Sequence, residues 1–384
     1  MKKLSSLPKL NGAHVLVRVD YNVPIVNNRI RDPRRITSSF DTINTILKKG
    51  GTPILIAHLG DSTASLRPIA TFLSKTYKIV FITHDVKDPH IAGIIAQVPK
   101  GTIILLENIR RYKEEEKNDT AFAKTLAKLG SYYVNDAFSV SHRKHASVVG
   151  IPKYLPSFAG AQLQKEITAL SAVLKNKQHP FVFILGGAKF DTKIPLLKRF
   201  VDKADSVIIA GAIMNTFYKE AGFTIGKSVT ETGFEKPIIA LLKKENILLP
   251  PDCVVVRPLT RSGQATSKHG IIVTPDEVET NDVIVDIGPQ AIDLISQKIA
   301  KAKLVVWNGP TGWYERGFTK GTVALAKACV ASKAQTVIGG GDTGAVVEKV
   351  LKNTVSKRIF VSTGGGATLD YLAQGTLPGI VALK

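Results

Sequence analysis

Short apolar runs rich in Val, Ile and Leu, each followed by a stretch with helical spacing, recur from one end of the chain to the other. No other feature restricts the fold as tightly, because strands of this kind separated by helices build βαβ units and a parallel sheet. In the first half the runs are "HVLVRVDY", "TPILIAHL", "KIVFIT", "TIILLEN" and "YYVNDAF", with helical stretches such as residues 41–49 and 118–129 between them. A second series opens after "KNKQHP" with "FVFILGG", "DSVIIAGA", "DCVVVRP", "DVIVDIGP", "KLVVWNGP", "AQTVIGGG" and "RIFVSTGGG". Residues 164–177 ("QKEITALSAVLKNK") read as one helix that must end before Pro180. A length of 384 residues suits two cores of ordinary size. The expected fold class is therefore α/β, with two doubly wound parallel-sheet (Rossmann-like) domains joined by a hinge helix. The expected boundaries are residues 1–166, a hinge over 167–179 and residues 180–369, with a tail of about residues 370–384 packing back onto the first domain.

Open parallel sheets bind ligands beyond the carboxyl ends of their strands, and the chemistry of this sequence lies there. The first half offers "RVDYN" (Arg18, Asp20, Asn22), "DPRRI" (Arg34, Arg35), "AHLG" (His58), "ENIRRY" (Arg110, Arg111) and "SHRKHAS" (His142, Arg143, His145). Several arginines aimed at one crevice suit a phosphorylated acid, since guanidinium forks bind phosphate and carboxylate bidentately. Taken singly, each reads more readily as a surface charge, and only their recurrence after successive strands brings the two readings level. The second half is rich in glycine at the same places. "LGGAKFDTK" carries Gly186, Gly187, Lys189 and Lys193, with Asp191 the expected cap of a helix that holds Pro195 in its first turn. "WNGPTGWYE" is a tight turn with Asn308 and Glu315. "TVIGGGDTGAVVEKVL" and "STGGGATLDYL" each run from a strand through three glycines into a helix, where free N–H groups and the helix dipole favour an anion. The first of them is neither a P-loop nor a dinucleotide fingerprint. Asp342 would repel a phosphate held in such a cradle unless a cation lay between them, and Mg²⁺ is the usual one. A plain turn with Asp342 as helix cap is the other reading of that loop.

The net charge is +21, with 27 Lys+Arg against 13 Asp+Glu in residues 1–179 and 25 against 18 in the remainder. The basic residues are interleaved with strand and helix patterns and form no aromatic-basic module. A basic surface around small acidic substrates is expected in place of a nucleic-acid partner. No apolar run approaches the roughly 20 residues of a membrane span, the start "MKKLSSLPKL" has no apolar leader region, and no membrane partner is expected. Cys253 and Cys329 fit no metal or redox spacing, which points to a reducing, cytoplasmic setting. No nucleophile with a base, and no zinc spacing, accompanies the arginines, lysines and glycine loops. That equipment suits direct phosphoryl transfer, which depends on positioning and charge neutralisation.

With these motifs in this order, the chain resembles the phosphoglycerate kinases over essentially its whole length. The residues that carry the resemblance are "LVRVDYNVP", "LLENIRRYKEEEKND", "YVNDAFSVSHRKHAS", "ILGGAK", "WNGPTGWYE", "GGGDT" and "STGGGATL". The resemblance implies reversible transfer of a phosphoryl group between ATP and the carboxylate of 3-phosphoglycerate, giving 1,3-bisphosphoglycerate and ADP, in glycolysis. It also implies an acid-binding N-terminal domain, a nucleotide-binding C-terminal domain, Mg²⁺, hinge closure and a monomer. On the acid side it assigns Asp20, Asn22, Arg35, His58, Arg110 and Arg143, with Arg35 stabilising the group in transfer. On the nucleotide side it assigns Gly187, Lys189, Lys193, Asn308, Glu315, Gly341, Asp342 and Thr343. Asp342 is placed on the metal, Glu315 on ribose, Lys193 on the moving phosphoryl, and Gly364 and Gly365 at the transition state. Two departures stand out. "HLGDSTASLRP" has Asp61 where the family usually has arginine, in a shortened loop, so Arg67 is a candidate to fill the vacant place. "AGAIMNTF" replaces a segment usually reading G-G-G-M-A-F-T-F, so Ala210, Ala212 and Asn215 alter a wall expected to face adenine. The charge and Asp61 motivate one alternative, a catalytically weakened member that binds polyanions.

Overall fold

The computed structural model describes residues 1–175, 177–191, 193–257, 270–351 and 358–384, except for the side chain of Asp342. The chain divides into two compact units, one of Met1–Thr168 with Gln374–Lys384 and the other of Ala169–Ala373. The helix Ala161–Lys175 begins in the first and ends in the second.

In the first unit seven strands form one sheet, in the spatial order Lys2–Lys3, Ser157–Ala159, Tyr132–Asn135, His14–Arg18, Thr52–Ile56, Ile103–Leu106, Ile79–Ile82. Every neighbouring pair is parallel. The central strands are apolar throughout because helices cover both faces, and Leu16, Val17, Ile54, Leu55, Ile104 and Leu105 are fully buried. Chain order reverses on either side of His14–Arg18, so a crevice opens beyond its carboxyl end. The tail belongs to this unit, where the Gly379 N–H donates to the Ser141 carbonyl at 2.8 Å.

The second unit has a six-stranded parallel sheet in the order Ile247–Leu248, Ser206–Ile209, Phe181–Leu185, Leu304–Asn308, Gln335–Gly339, Ile359–Val361. Two runs expected in that sheet are elsewhere. Cys253–Val256 and Val283–Ile287 pair antiparallel in a separate three-stranded sheet with Ile271–Val273. Their runs of Val and Ile resemble those of the parallel strands because they are buried too, Val255, Val285 and Ile287 among them. The helix after Lys189 also starts later than expected. It spans Ile194–Phe200 with Lys193, not Asp191, at the cap position, and no side chain caps it.

The chain reverses direction across this second sheet between Phe181–Leu185 and Leu304–Asn308, and there backbone packs directly on backbone. The Gly186 N–H donates to Asn308 O and the Gly187 N–H to Pro310 O, both at 2.8 Å. The Gly211 N–H donates to Thr311 O at 3.1 Å, and the Ile213 N–H to Gly187 O at 3.0 Å. Gly309 has φ +89°, and a Cβ there would run into the Gly186 carbonyl. Gly309→Ala is therefore expected to lower unfolding free energy by about 2–4 kcal/mol. Urea denaturation should show it as a shifted midpoint at unchanged slope, and an unshifted midpoint would mean that the corner can open without cost.

Candidate active site

At the end of the central strand of the first sheet, Arg18 is almost fully buried, only 1% exposed. Its Nε donates to Ser147 Oγ at 2.8 Å, and Ser147 in turn donates to Glu115 through Oγ at 2.5 Å and through its N–H at 2.9 Å. Burial raises the Glu115 carboxyl above its ordinary value, and the nearby Arg18 charge opposes that rise. Arg18 Nη2 lies 3.1 Å from His58 Nδ1. A guanidinium only donates, so Nδ1 accepts and the ring proton sits on Nε2, leaving an N–H to offer. Burial, then repulsion from Arg18, Arg110 and Arg143, depresses His58 to about 2, so the ring is neutral in ordinary solution.

The remaining groups expected in this crevice surround the same strand ends. Arg35 Nη1 lies 3.3 Å from Asp20 Oδ2 and donates to Asn22 O at 3.2 Å. Asn22 Oδ1 accepts from the Gly60 N–H at 3.0 Å, and Arg110 Nη1 donates to Gly60 O at 2.8 Å. Arg143 is held below its ordinary value by burial and by Arg110. Five cationic or donor groups and two short polar ones thus converge on one crevice. Asp61 departs from the crevice chemistry, since its Oδ1 accepts from both the N–H (2.8 Å) and the hydroxyl (2.6 Å) of Thr63. Arg67 lies over the Phe81 ring at 5.4 Å and does not take the missing arginine's place.

The second unit holds a cavity of about 610 Å³ at its switch point. Gly187, Lys189, Lys193, Asn308, Glu315, Gly341 and Thr343 all line it, and so does Gly365. Gly364 does not line it, and its N–H donates to Ser362 Oγ at 3.1 Å. The helix Gly341–Leu351 places Asp342 in its first turn, but the Asp342 side chain lies outside the described part of the structure. Lys193 Nζ donates to the Gly186 carbonyl, and burial lowers it to about 8. Three atoms of cavity-lining residues are buried with no hydrogen-bond partner among the described residues, Asn308 Nδ2, Thr343 Oγ1 and Asn215 Oδ1. Asp286 also lines it, raised to about 6 by burial, and accepts from the Gly321 N–H at 3.0 Å and Thr311 Oγ1 at 2.9 Å.

The phosphoglycerate kinase family profile matches residues 4–375. The chain belongs to the phosphoglycerate kinase family. The phosphoglycerate kinase of Dictyoglomus turgidum is 40% identical over 98% of this chain and 96% of its own length. The cytosolic phosphoglycerate kinase of Nicotiana tabacum is 39% identical over 100% of this chain and 98% of its own. Among solved structures, phosphoglycerate kinase from Coxiella burnetii superposes with TM-score 0.82 at 35% identity, covering 99% of this chain and 97% of that one. The enzyme from Pyrococcus horikoshii OT3 gives TM-score 0.86 at 28% identity, covering 100% and 98%. This chain is accordingly a kinase that transfers a phosphoryl group between ATP and 3-phosphoglycerate. The polyanion-binding alternative finds no support in these likenesses.

Sequence reasoning passed over Ser147, Glu115 and Asp286. Glu115 sits in the middle of "KEEE", and only the helical turn of Lys113–Glu116 separates it, buried, from its half-buried or exposed neighbours. His58 gives this protein a measurable signature. An unfolded histidine takes its proton near pH 6.5, whereas the folded one waits until about 2. The stability this contributes is complete above pH 6.5 and is lost as pH falls, by up to about 1.4 kcal/mol per unit. His58→Gln should therefore flatten the fall of Tm between pH 6.5 and 4 relative to the parent protein, and parallel curves would show the folded ring to be titrating normally.

Proposed function

We propose that the N-terminal unit holds the phosphorylated acid and the C-terminal unit the nucleotide, with the phosphoryl group passing directly from one substrate to the other. The observation that carries this is the pair Asn308 Nδ2 and Thr343 Oγ1, a buried donor and a buried hydroxyl unpartnered among the described residues in a cavity ringed by glycine turns. Such groups cost about 1–3 kcal/mol each unless something completes their hydrogen bonds, and a triphosphate supplies acceptor oxygens for that purpose.

In the acid site, Arg110, Arg143 and neutral His58 bind the substrate's phosphate and carboxylate, while Asp20 and Asn22 hold Arg35 in place. Arg35 neutralises charge on the group in transfer. The acceptor carboxylate is already ionised at pH 7, so attack needs no general base. Lys193 spends one of its three donors on Gly186 and has two for phosphoryl oxygens, and an arriving anion favours its charged form. Lys189 and the N–H groups of the glycine turns hold the donor phosphates, Glu315 accepts from ribose hydroxyls, and Gly364 and Gly365 border the transferring group.

The residues fit Mg²⁺ carried in with the nucleotide. Thr343 Oγ1 is a hard oxygen without a partner among the described residues, next in sequence to Asp342, and Mg²⁺ takes one or two carboxylates together with substrate phosphates. Asp342 would hold the ion, which supplies neutralisation of phosphate charge. Bending about the helix Ala161–Lys175 accompanies turnover, and the protein works as a cytoplasmic monomer, a reading supported by two buried, unbridged cysteines.

Asp342→Ala is expected to lower kcat by at least about a hundredfold at saturating nucleotide and Mg²⁺ with the Tm little changed. Near-normal turnover would remove the metal role. Arg35→Ala and Lys193→Ala should each depress kcat far more than the affinity for either substrate measured alone. Raised KM at unchanged kcat would make them simple binding residues. In small-angle scattering, compaction should need both substrates together, and a radius of gyration that never changes would exclude the bending motion.

A further inference from the structure

Asn215 is a polar residue on an otherwise apolar stretch of the cavity wall, and only 2% of it is exposed. It sits in the second turn of the helix Gly211–Glu220, and its neighbours along the lining are Ala212, Met214, Val229, Ile284 and Val285. Its amide orientation is fixed by chemistry. The Val229 carbonyl, 3.0 Å away, can only accept, so the amide turns Nδ2 toward it. The other end must then be the carbonyl, and Oδ1 is buried with no partner among the described residues. The apolar alternative at such a site would cost nothing in hydrogen bonding, while an orphaned amide oxygen is unfavourable until a donor reaches it. Because Asn215 lines the cavity, that donor can come from what the cavity holds.

We propose that Asn215 is a specificity-determining residue that reads the purine base, its Oδ1 accepting from the 6-amino group of adenine. The assignment rests on the reading of this cavity as the nucleotide site and adds to it a preference for which nucleotide enters. A base with hydrogen at position 6 leaves Oδ1 orphaned. A base with a carbonyl there, as in guanine, sets two acceptors against each other. The apolar neighbours pack on the base faces and favour no purine over another, so discrimination falls to the one side chain with a defined polarity.

The test compares kcat/KM for ATP, purine riboside 5′-triphosphate and GTP with 3-phosphoglycerate saturating. For the parent protein ATP should be preferred over purine riboside triphosphate by about 10- to 100-fold, and over GTP by at least as much, with the difference in nucleotide KM. In Asn215→Leu, similar in size and apolar, the ratio of ATP to purine riboside triphosphate should fall to within about threefold while the KM for 3-phosphoglycerate stays put. A parent ratio near one overturns the proposal without any variant being needed. An Asn215→Leu protein that gains thermal stability but keeps the parent ratio also overturns it, because Oδ1 would then be a merely tolerated buried group. Failure of every nucleotide to support transfer would instead sink the reading of the cavity itself.

Discussion

The contact on which the rest of the second unit depends is backbone against backbone, where the turns after Phe181–Leu185 and Leu304–Asn308 meet. Parallel strands about 5 Å apart ordinarily keep their following loops separate by the width of side chains. Here Gly186, Gly187, Gly211 and Gly309 remove that width, and four N–H to carbonyl bonds close the gap. The same contact places Lys193 Nζ on the Gly186 carbonyl and holds Asn308 at the cavity wall. A cavity corner made this way is set before any ligand arrives, since the groups that build it are fixed by the sheet and need no side-chain ordering.

The first unit gathers hydrogen-bond donors at its strand ends by the opposite means. Its donors are guanidinium groups, and bringing several of them to one crevice is unfavourable until an anion is present. The cost is limited in two ways. Arg18, almost fully buried, is linked through Ser147 to the buried Glu115 carboxylate. His58 stays neutral among the arginines and still presents an N–H, so one more donor is added without one more charge.

Much of this was legible in the sequence because period and position carry it. Strands such as Phe181–Leu185 and Leu304–Asn308 announce themselves as apolar runs ending in glycine, and ligand groups follow strand ends in a parallel sheet. What was not legible had no local signal. The strands Cys253–Val256 and Val283–Ile287 read like parallel-sheet members, because an apolar run records burial and not the direction of the neighbour. Glu115 is one of three consecutive glutamates, and its burial is decided by a helix of four residues packing on Ser147, far away in sequence. The expected cap at Asp191 gave way to Lys193, whose place is set by the Gly186 carbonyl, a tertiary contact. Arg67 finds the Phe81 ring, a neighbour that loop length alone could not name.

The two departures from the family pattern differ in physical weight. Asp61 is fully at the surface and its carboxylate is satisfied within its own turn by Thr63, which is also why it is held below the ordinary carboxylate range. A charge so placed is screened by water and ions, and acts on the arginine crevice only weakly and from outside. Asn215 is enclosed, where an unmet hydrogen bond cannot be made up by solvent and each polar atom has one orientation open to it. Changes at solvated positions adjust affinity by small, salt-dependent amounts, whereas a polar group introduced into a dry wall alters which molecule the wall accepts. A test of nucleotide selectivity therefore belongs at the second unit's cavity, whereas the sensitivity to acid that follows from His58 belongs to the arginine crevice of the first.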